Sequence, residues 1–143
     1  MSKILFPVDG SEHAHRAVTQ WLASNPKGAG HEVHLLSVQL PVDGNVRTFV
    51  NADELNAYHR EEGLAALADA RQALDQAGVP FQQHVLVGHP ADVICRFAAE
   101  SGMDEVVMGT HGRTGLLQAL MGSVAREVSQ RCAAKVSLVK APA

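Results

Sequence analysis

Two hydrophobic periods alternate along the chain, one typical of buried strands and the other of helices that bury one face. Short, nearly continuous apolar runs predict five strands that are covered on both faces of a sheet. Apolar residues at three- and four-residue spacing between these runs predict helices with one buried stripe. The predicted strands are 3–8, 33–40, 81–87, 105–108 and 135–140, and the predicted helices are 12–25, 53–77, 90–101 and a last one that ends near 132.

The alternation of these elements predicts the fold class. Helices of about ten residues or more between successive strands imply right-handed crossovers and a parallel sheet with helices on both faces. The sequence has no linker, low-complexity tract or fixed internal repeat. We therefore expect one three-layer, open α/β domain over residues 1–143, with a loop at 41–51, where Pro, Gly, Asp and Asn follow no period.

Composition narrows the class of protein. With 46% apolar residues, the 143-residue chain can bury a core of its own. No apolar run approaches the roughly 18 residues of a membrane helix. A net charge of −3 and an isoelectric point near 6.2 argue against a nucleic-acid binder, which would carry a basic face. The sequence therefore predicts a cytoplasmic protein without nucleic-acid or membrane partners.

The two cysteines and eight histidines suggest no metal or redox site. Cys95 and Cys132 are 37 positions apart, which fits neither paired-cysteine zinc spacing nor a disulfide framework. We expect both to be buried or idle thiols. His13 and His15 lie two apart on a predicted helix and do not share a face. We therefore expect structural or exposed histidines and no metal ligands.

The turn after the first strand, Asp9-Gly-Ser11, is one candidate for ligand contact. Ligands of open α/β sheets bind beyond the carboxyl ends of the strands, where the winding direction reverses. The turn lacks the Gly-x-Gly-x-x-Gly pattern of dinucleotide sites and the Gly-Lys-Ser/Thr ending of a P-loop, so an ordinary NAD enzyme or P-loop NTPase is not expected. The structural alternative is that Asp9 caps the first helix, with Glu12 completing a capping box.

The second candidate is a glycine pattern after the fourth strand. Gly109 and Gly112 are followed, after nine residues, by Gly122-Ser123, and Arg113 lies inside the pattern. Glycines let backbone N–H groups approach a phosphate. Because a glycine inside a helix costs about 1 kcal/mol, we expect the last helix to break there and restart near Ser123, where its N-terminus would bind an anion. Ordinary turn glycines and a solvated Arg113 are the alternatives.

These motifs resemble the ATP-binding type of the universal stress protein family over essentially the whole chain. The family's phosphate-binding signature is similar to two segments, Val107-Met-Gly-Thr-His-Gly-Arg-Thr-Gly-Leu116 and Gly122-Ser-Val-Ala125. The family's opening strand and turn are similar to Lys3-Ile-Leu-Phe-Pro-Val-Asp-Gly-Ser-Glu12. The resemblance implies a Rossmann-like fold of the adenine nucleotide alpha hydrolase-like type, with five parallel strands in the order 3-2-1-4-5. Asp9 and Gly109 would then face each other across one crevice.

The resemblance also implies that the crevice binds an adenine nucleotide, ATP with or without Mg²⁺. Pro7, Val8 and Asp9 would line the adenosine side, and Val38 would pack on adenine. A carboxylate suits ribose hydroxyls or the adenine amino group, and glycine N–H groups, a serine and an arginine suit phosphate. The residues implied to hold ribose and phosphates are Met108, Gly109, His111, Gly112, Arg113, Gly122, Ser123 and Val124.

A homodimer built on the last strand is a further implication, with Val136 and Val139 at the ends of the contacting segment. Lys135 and Ser137 depart from the Pro and the apolar residue that are frequent there in the family. The resemblance therefore predicts a dimer through this strand, although the strand's sequence is not the usual one.

Three functions are compatible with these motifs. We expect a regulatory stress-response protein, in which bound nucleotide stabilises a dimer that an unidentified protein partner recognises. The sequence motivates this choice because it has no P-loop lysine and no evident paired carboxylates for Mg²⁺. The alternatives are a slow ATPase or nucleotidyl-transfer enzyme that uses Asp9 and Arg113, and a nucleotide-independent scaffold. Residues 109–143 carry a charge of +4 and residues 1–108 one of −7, which suits a site for one small anion.

Overall fold

Five strands and four helices alternate along the residues that the structure, a computed structural model, describes, which are 1–41, 51–110 and 116–140. The strands are β1 (Ser2–Pro7), β2 (His31–Gln39), β3 (Phe81–Val87), β4 (Glu105–Thr110) and β5 (Lys135–Lys140). The helices are α1 (Glu12–Ser24), α2 (Ala52–Gln76), α3 (Pro90–Glu100) and α4 (Leu116–Arg131), and a 3₁₀ turn, Pro26–Gly28, follows α1. Residues 42–50 of the predicted loop lie outside this description.

The five strands form one parallel sheet in the order β3-β2-β1-β4-β5. This confirms the predicted fold class and strand order. β1 lies at the centre because it pairs with β2 on one side and β4 on the other. The direction of winding reverses between β1 and β4, and a ligand crevice of an open α/β sheet is expected at the carboxyl ends of these two strands.

Two apolar clusters cover the two faces of the sheet, which explains the nearly continuous apolar run of β1. Successive side chains of a strand point to opposite faces. Phe6 belongs to one cluster with Val18 of α1 and Leu67 of α2, whereas Leu5 belongs to the other with Ile94 of α3 and Val128 of α4. Helices α1 and α2 therefore cover one face, and α3 and α4 cover the other.

The break predicted in the last helix is wrong. Helix α4 runs without interruption from Leu116 to Arg131, through Gly122 and Ser123. The backbone N–H groups of a helix interior are bonded within the helix, so Gly122-Ser123 does not form a new helix N-terminus. A cost of about 1 kcal/mol for one interior glycine is small beside the burial of Ala125 and Val128 farther along the helix.

The expectation of idle thiols is also wrong, because Cys95 and Cys132 form a disulfide. Cys95 lies in α3 and Cys132 directly follows α4, and these two helices pack side by side on the same face of the sheet. Their Cα atoms are 4.9 Å apart, within the range that a disulfide spans. A separation of 37 residues gives no sign of this contact, because the packing of the two helices creates it.

Within residues 1–41, 51–110 and 116–140, the protein has neither a membrane-spanning helix nor a cluster of metal ligands. None of the helices there is both long and apolar enough to cross a bilayer. Across the same ranges, no three side chains of His, Cys, Asp or Glu come together in a way that would hold a metal ion.

Candidate functional site

A cleft of about 100 Å³ opens where β1 and β4 end, at the point where the winding of the sheet reverses. The carboxyl ends of three neighbouring strands and two helices on one face of the sheet form its wall. This β1/β4 cleft is lined by Pro7, Val8, Asp9, Leu36, Val38, Pro90, Ile94, Met108 and Val124.

The fold explains why residues so far apart in sequence meet there. Parallel strands all end at the same edge of the sheet, so the last residues of β1, β2 and β4 converge. Helix α3 begins at Pro90, which suits a first turn because proline needs no N–H partner there. Its first two turns supply Pro90 and Ile94, and α4 supplies Val124 from the other side.

The described residues give the cleft the chemistry of an apolar slot with one carboxylate. Eight of the nine lining residues are apolar, and Asp9 is the charged one. The deeper wall is fully packed, since Leu36, Ile94 and Met108 are buried, whereas Asp9 is exposed. Such a site accepts a flat apolar ring and offers one strong hydrogen-bond acceptor at its edge.

Asp9 does not cap the first helix, so the capping alternative is wrong. The hydroxyl of Ser11 caps α1 by accepting a hydrogen bond from the Ala14 N–H at 3.2 Å. Oδ1 of Asp9 accepts a hydrogen bond from the Ser11 N–H at 2.9 Å, and Glu12 pairs with Arg16 rather than completing a capping box. The Asp9 carboxylate is therefore oriented by the turn and lies at the cleft.

The structure brings together half of the predicted site residues. Gly109 directly follows Met108 on β4, and Ser123, which is exposed, precedes Val124 on α4. Gly122 lies inside α4, while His111, Gly112 and Arg113 lie outside the described residues. The six that line the β1/β4 cleft are Pro7, Val8, Asp9, Val38, Met108 and Val124. Their contacts with a ligand stay predictions.

Three lining residues were missed by sequence reasoning: Leu36, Pro90 and Ile94. Leu36 could have been found, because it precedes Val38 by two positions and residues two apart on a strand share a face. Nothing in the sequence places the first turns of α3 over the end of β1. Pro90 and Ile94 reach the cleft only through the packing of that helix.

Gly109 has a packing role that is independent of any ligand. A Cβ atom at this position would overlap the backbone carbonyl of His13 in the first turn of α1, and it would lie 3.1 Å from the backbone nitrogen of Ala14. Helix α1 therefore approaches β4 more closely than a side chain would allow. The glycine expected to serve a phosphate is also required for the close packing of helix and strand.

An ion pair joins the two helices beside the cleft. Arg131 of α4 contacts Asp92 of α3 and also pairs with Glu127 at 3.5 Å. The hydrogen bond from Arg131, followed by its charge, lowers the pKa of Asp92, and Asp92 in turn raises the pKa of Arg131. All three side chains are substantially exposed, so the pair orients the helix ends and contributes little to stability.

A histidine pair lies farther from the cleft on the same sheet face. Nδ1 of His34 lies 3.0 Å from Nε2 of His84, and Nε2 of His34 lies 2.6 Å from Glu32. Burial, followed by the charge of His34, lowers the pKa of His84, whose ring also packs on Phe97 of α3. The hydrogen bond with His34 lowers the pKa of Glu32. These groups form a polar contact between β2, β3 and α3 and do not line the cleft.

Comparison with known proteins agrees with this geometry. Residues 1–140 match the family model described as the universal stress protein family. Universal stress protein MJ0531 of Methanocaldococcus jannaschii is 32% identical, with 98% of this chain and 82% of that protein covered. The solved structure of protein MJ0577 from the same organism has a TM-score of 0.80 at 31% identity, with 99% of this chain and 97% of that chain covered.

Three less similar solved structures share the fold. A family member from Arabidopsis thaliana with AMP bound has a TM-score of 0.75 at 19% identity and covers 100% and 94% of the two chains. A universal stress protein from Archaeoglobus fulgidus in complex with dAMP has a TM-score of 0.64 at 23% identity, with 98% of each chain covered. A universal stress protein in complex with cAMP has a TM-score of 0.70 at 21% identity, with 96% of each chain covered. The family model over residues 1–140 and the 32% identical relative show that the chain belongs to the universal stress protein family.

Proposed function

We propose that this protein binds an adenine nucleotide in the β1/β4 cleft and uses the bound nucleotide as a regulatory signal. The observation that carries the proposal is the convergence of six predicted site residues, from four separate parts of the chain, on one apolar cleft with a single carboxylate. A nucleotide base needs an apolar slot for its ring and an acceptor for its amino group or for the ribose hydroxyls. Asp9 supplies that acceptor.

The size of the cleft supports binding of the base within it. A site for a whole drug-sized ligand usually has a volume of about 300–1,000 Å³. The described part of the β1/β4 cleft has about 100 Å³, which gives room for a planar ring. The related structures with AMP, dAMP and cAMP point the same way, because the three ligands share adenine and differ in sugar or phosphate.

The phosphates of the proposed ligand, ATP, extend toward the glycine pattern after β4. Residues 109–143 carry an excess of four positive charges, which favours an anion there. Within the proposal, His111, Gly112 and Arg113 hold the phosphates, and Ser123 contributes its exposed hydroxyl rather than a helix N-terminus. Among the described residues, Asp9 is the carboxylate that lines the cleft, and within the proposal Mg²⁺, where present, would be held chiefly by the phosphates.

Titration calorimetry on nucleotide-stripped protein tests the base site. AMP and ATP are expected to bind, and GMP more weakly, since its purine lacks the exocyclic amino group at the position where adenine has it. Val38→Trp fills the slot and should weaken AMP binding by about ten-fold or more, equivalent to 1.4 kcal/mol. Val87→Trp, at an exposed position of β3 outside the cleft, is the matched control. Absence of AMP and ATP binding up to millimolar concentration would contradict the proposal.

A regulatory role rather than catalysis is part of the same proposal. The alternative is an ATPase or nucleotidyl-transfer enzyme in which Asp9 takes part in the reaction. Turnover above the uncatalysed rate, even if slow, that disappears in Asp9→Ala would favour that alternative. A cytoplasmic location, a homodimer through β5 and an unidentified protein partner complete the regulatory proposal.

A further inference from the structure

The disulfide between Cys95 and Cys132 is the one described covalent link between parts of the chain that are distant in sequence. Cys95 lies in the middle of α3. The N–H of Cys132 donates to the Val128 carbonyl at 3.0 Å, so Cys132 closes the last turn of α4. The bond therefore ties the centre of one helix to the carboxyl end of the other.

A second cleft gives small molecules access to this disulfide. It has a volume of about 210 Å³ and lies on the side of α3 where the disulfide is found. Both cysteines are half-buried rather than enclosed. Small side chains dominate the lining, which leaves room for a narrow reagent beside Cys95. This cysteine cleft is lined by Cys95, Ala98, Ala99, Gly102, Met103, Ala133 and Ala134.

The two helices joined by the disulfide also form a wall of the β1/β4 cleft. Ile94, adjacent to Cys95, lines that cleft, and Pro90 lines it one turn earlier. Val124 lines it from α4, two turns before Cys132. A change in the separation of α3 and α4 therefore alters the distance between Ile94 and Val124 across the proposed base site.

The other contacts between these helices are weaker restraints. Asp92 and Arg131 form an exposed ion pair, which salt screens and which holds two flexible side chains. Ile94, Ala98 and Val128 share an apolar cluster, whose contacts keep the helices packed but depend little on direction. The disulfide is the restraint that fixes their separation.

We propose that the Cys95–Cys132 disulfide is redox-active and that small thiols of the glutathione class open it through the cysteine cleft. A thiolate attacks Sγ of Cys95, a mixed disulfide forms there, and the Cys95–Cys132 bond breaks. The bonding electron pair leaves with Sγ of Cys132, which then takes a proton. A second thiolate attacks the small-molecule sulfur of the mixed disulfide and releases Cys95 as a thiol. The protein gains two electrons and two protons, and two small thiols become one disulfide.

The consequence for ligand binding rests on the proposed nucleotide function. In the oxidised protein α3 and α4 are held at a fixed separation, so the base site is preorganised. In the reduced protein the helices are held only by apolar packing and the ion pair, and ordering the site on binding costs free energy. The oxidised form therefore binds adenine nucleotides more tightly, by about five-fold, the lower end of typical couplings between two sites.

Thiol titration of the full-length native protein tests the redox step. Oxidised protein is incubated with reduced glutathione at millimolar concentration, and the glutathione is then removed by gel filtration. Free protein thiols are counted with a chromogenic disulfide reagent, and circular dichroism monitors folding. We expect two thiols per chain to appear with the native spectrum unchanged. In Cys132→Ser, the Cys95 thiolate should attack oxidised glutathione, release one reduced glutathione and give the mass of a glutathione adduct at Cys95. Thiols that appear only after denaturation would overturn the proposal.

AMP titration of oxidised and reduced protein tests the coupling. The double variant Cys95→Ser/Cys132→Ser should bind like the reduced protein and show no response to glutathione. Asp92→Asn, which removes the ion pair and leaves the disulfide, should keep the difference between redox states. Equal AMP affinity in both redox states of the wild type overturns the coupling even if the double variant fails to fold. Absence of AMP binding in both states overturns the proposed function instead, and the thiol count still decides the redox step.

Discussion

Gly109 shows how one residue can be constrained by packing and by function together. Its backbone lies against the first turn of α1, so that a Cβ would overlap the His13 carbonyl oxygen. The overlap involves backbone on both sides, and neither side can move aside by rotating a side chain. Loss of ligand binding in a Gly109 variant would therefore not identify a ligand contact, because the strand and helix that form the site would also be displaced.

Replacing Gly109 by alanine is expected to destabilise the protein by about 1–3 kcal/mol, the usual cost of overpacking. The measurement is the free energy of unfolding in urea. Gly102→Ala is the control, because its added Cβ meets open space and only the left-handed backbone, with φ +66°, opposes it. That strain costs about 1–2 kcal/mol. A Gly109→Ala protein as stable as the wild type would contradict the packing role.

His84 is expected to make stability depend on pH near neutrality. Because its pKa in the folded protein lies below the ordinary 6.5, the unfolded chain binds more protons between the two values. The contribution of His84 is complete above pH 6.5 and is lost as the pH falls from there through the folded pKa. The groups that face it are His34, with Glu32 beyond, and the ring of Phe97.

The check is the melting temperature of wild type and His84→Gln between pH 7.5 and 5.5. The wild type should lose more stability than the variant as the pH falls through this range. The rings of His34 and His84 are in contact, so the difference between the two curves reports the contribution of this pair. Curves that stay parallel would show that burial of His84 does not contribute.

At the scale of elements, the turn before α1 contains a structural residue, Ser11, and a proposed binding residue, Asp9, only two positions apart. Ser11→Ala removes the cap from the Ala14 N–H and should lower the free energy of unfolding by about 1 kcal/mol. Asp9→Ala removes only the turn contact to the Ser11 N–H, so its effect on stability should be smaller and its effect on AMP binding larger. Urea unfolding and calorimetry on both variants give the comparison. A larger loss of stability in Asp9→Ala would reverse the two assignments.

Local pattern was sufficient to predict most elements, because both strand and helix periods in this chain are set by which side chains are buried. β1 is the clearest case: its continuous apolar run requires burial on two faces, and the structure confirms clusters on both. The same local argument failed at Gly122. The predicted break rested on the helix propensity of glycine alone, which costs about 1 kcal/mol. The packing of the helix outweighs this cost, and the helix continues through Gly122.

At the scale of the whole molecule, the parts of the site that could be predicted are those carried by strand ends. The β1 and β4 residues followed from the family resemblance, and sheet topology brings them together at one edge. Pro90 and Ile94 were missed because only the docking of α3 places them there. The Cys95–Cys132 disulfide was missed for the same reason, since its two helices meet through tertiary packing. The hydrophobic period of a strand or helix does not show which other elements it contacts on one face of the sheet.

The sheet also has two free edges, β3 and β5, and the proposed homodimer uses β5. Leu138 of β5 is 41% exposed and Val87 of β3 is 44% exposed, so the two edges offer matched apolar positions. Leu138→Glu should shift the protein to monomer in sedimentation experiments, because burying a carboxylate in the contact is costly. Val87→Glu carries the same change at the other edge and should leave the dimer intact. Dissociation by Val87→Glu with no effect of Leu138→Glu would assign the contact to β3, and a monomeric wild type would remove the dimer from the regulatory proposal.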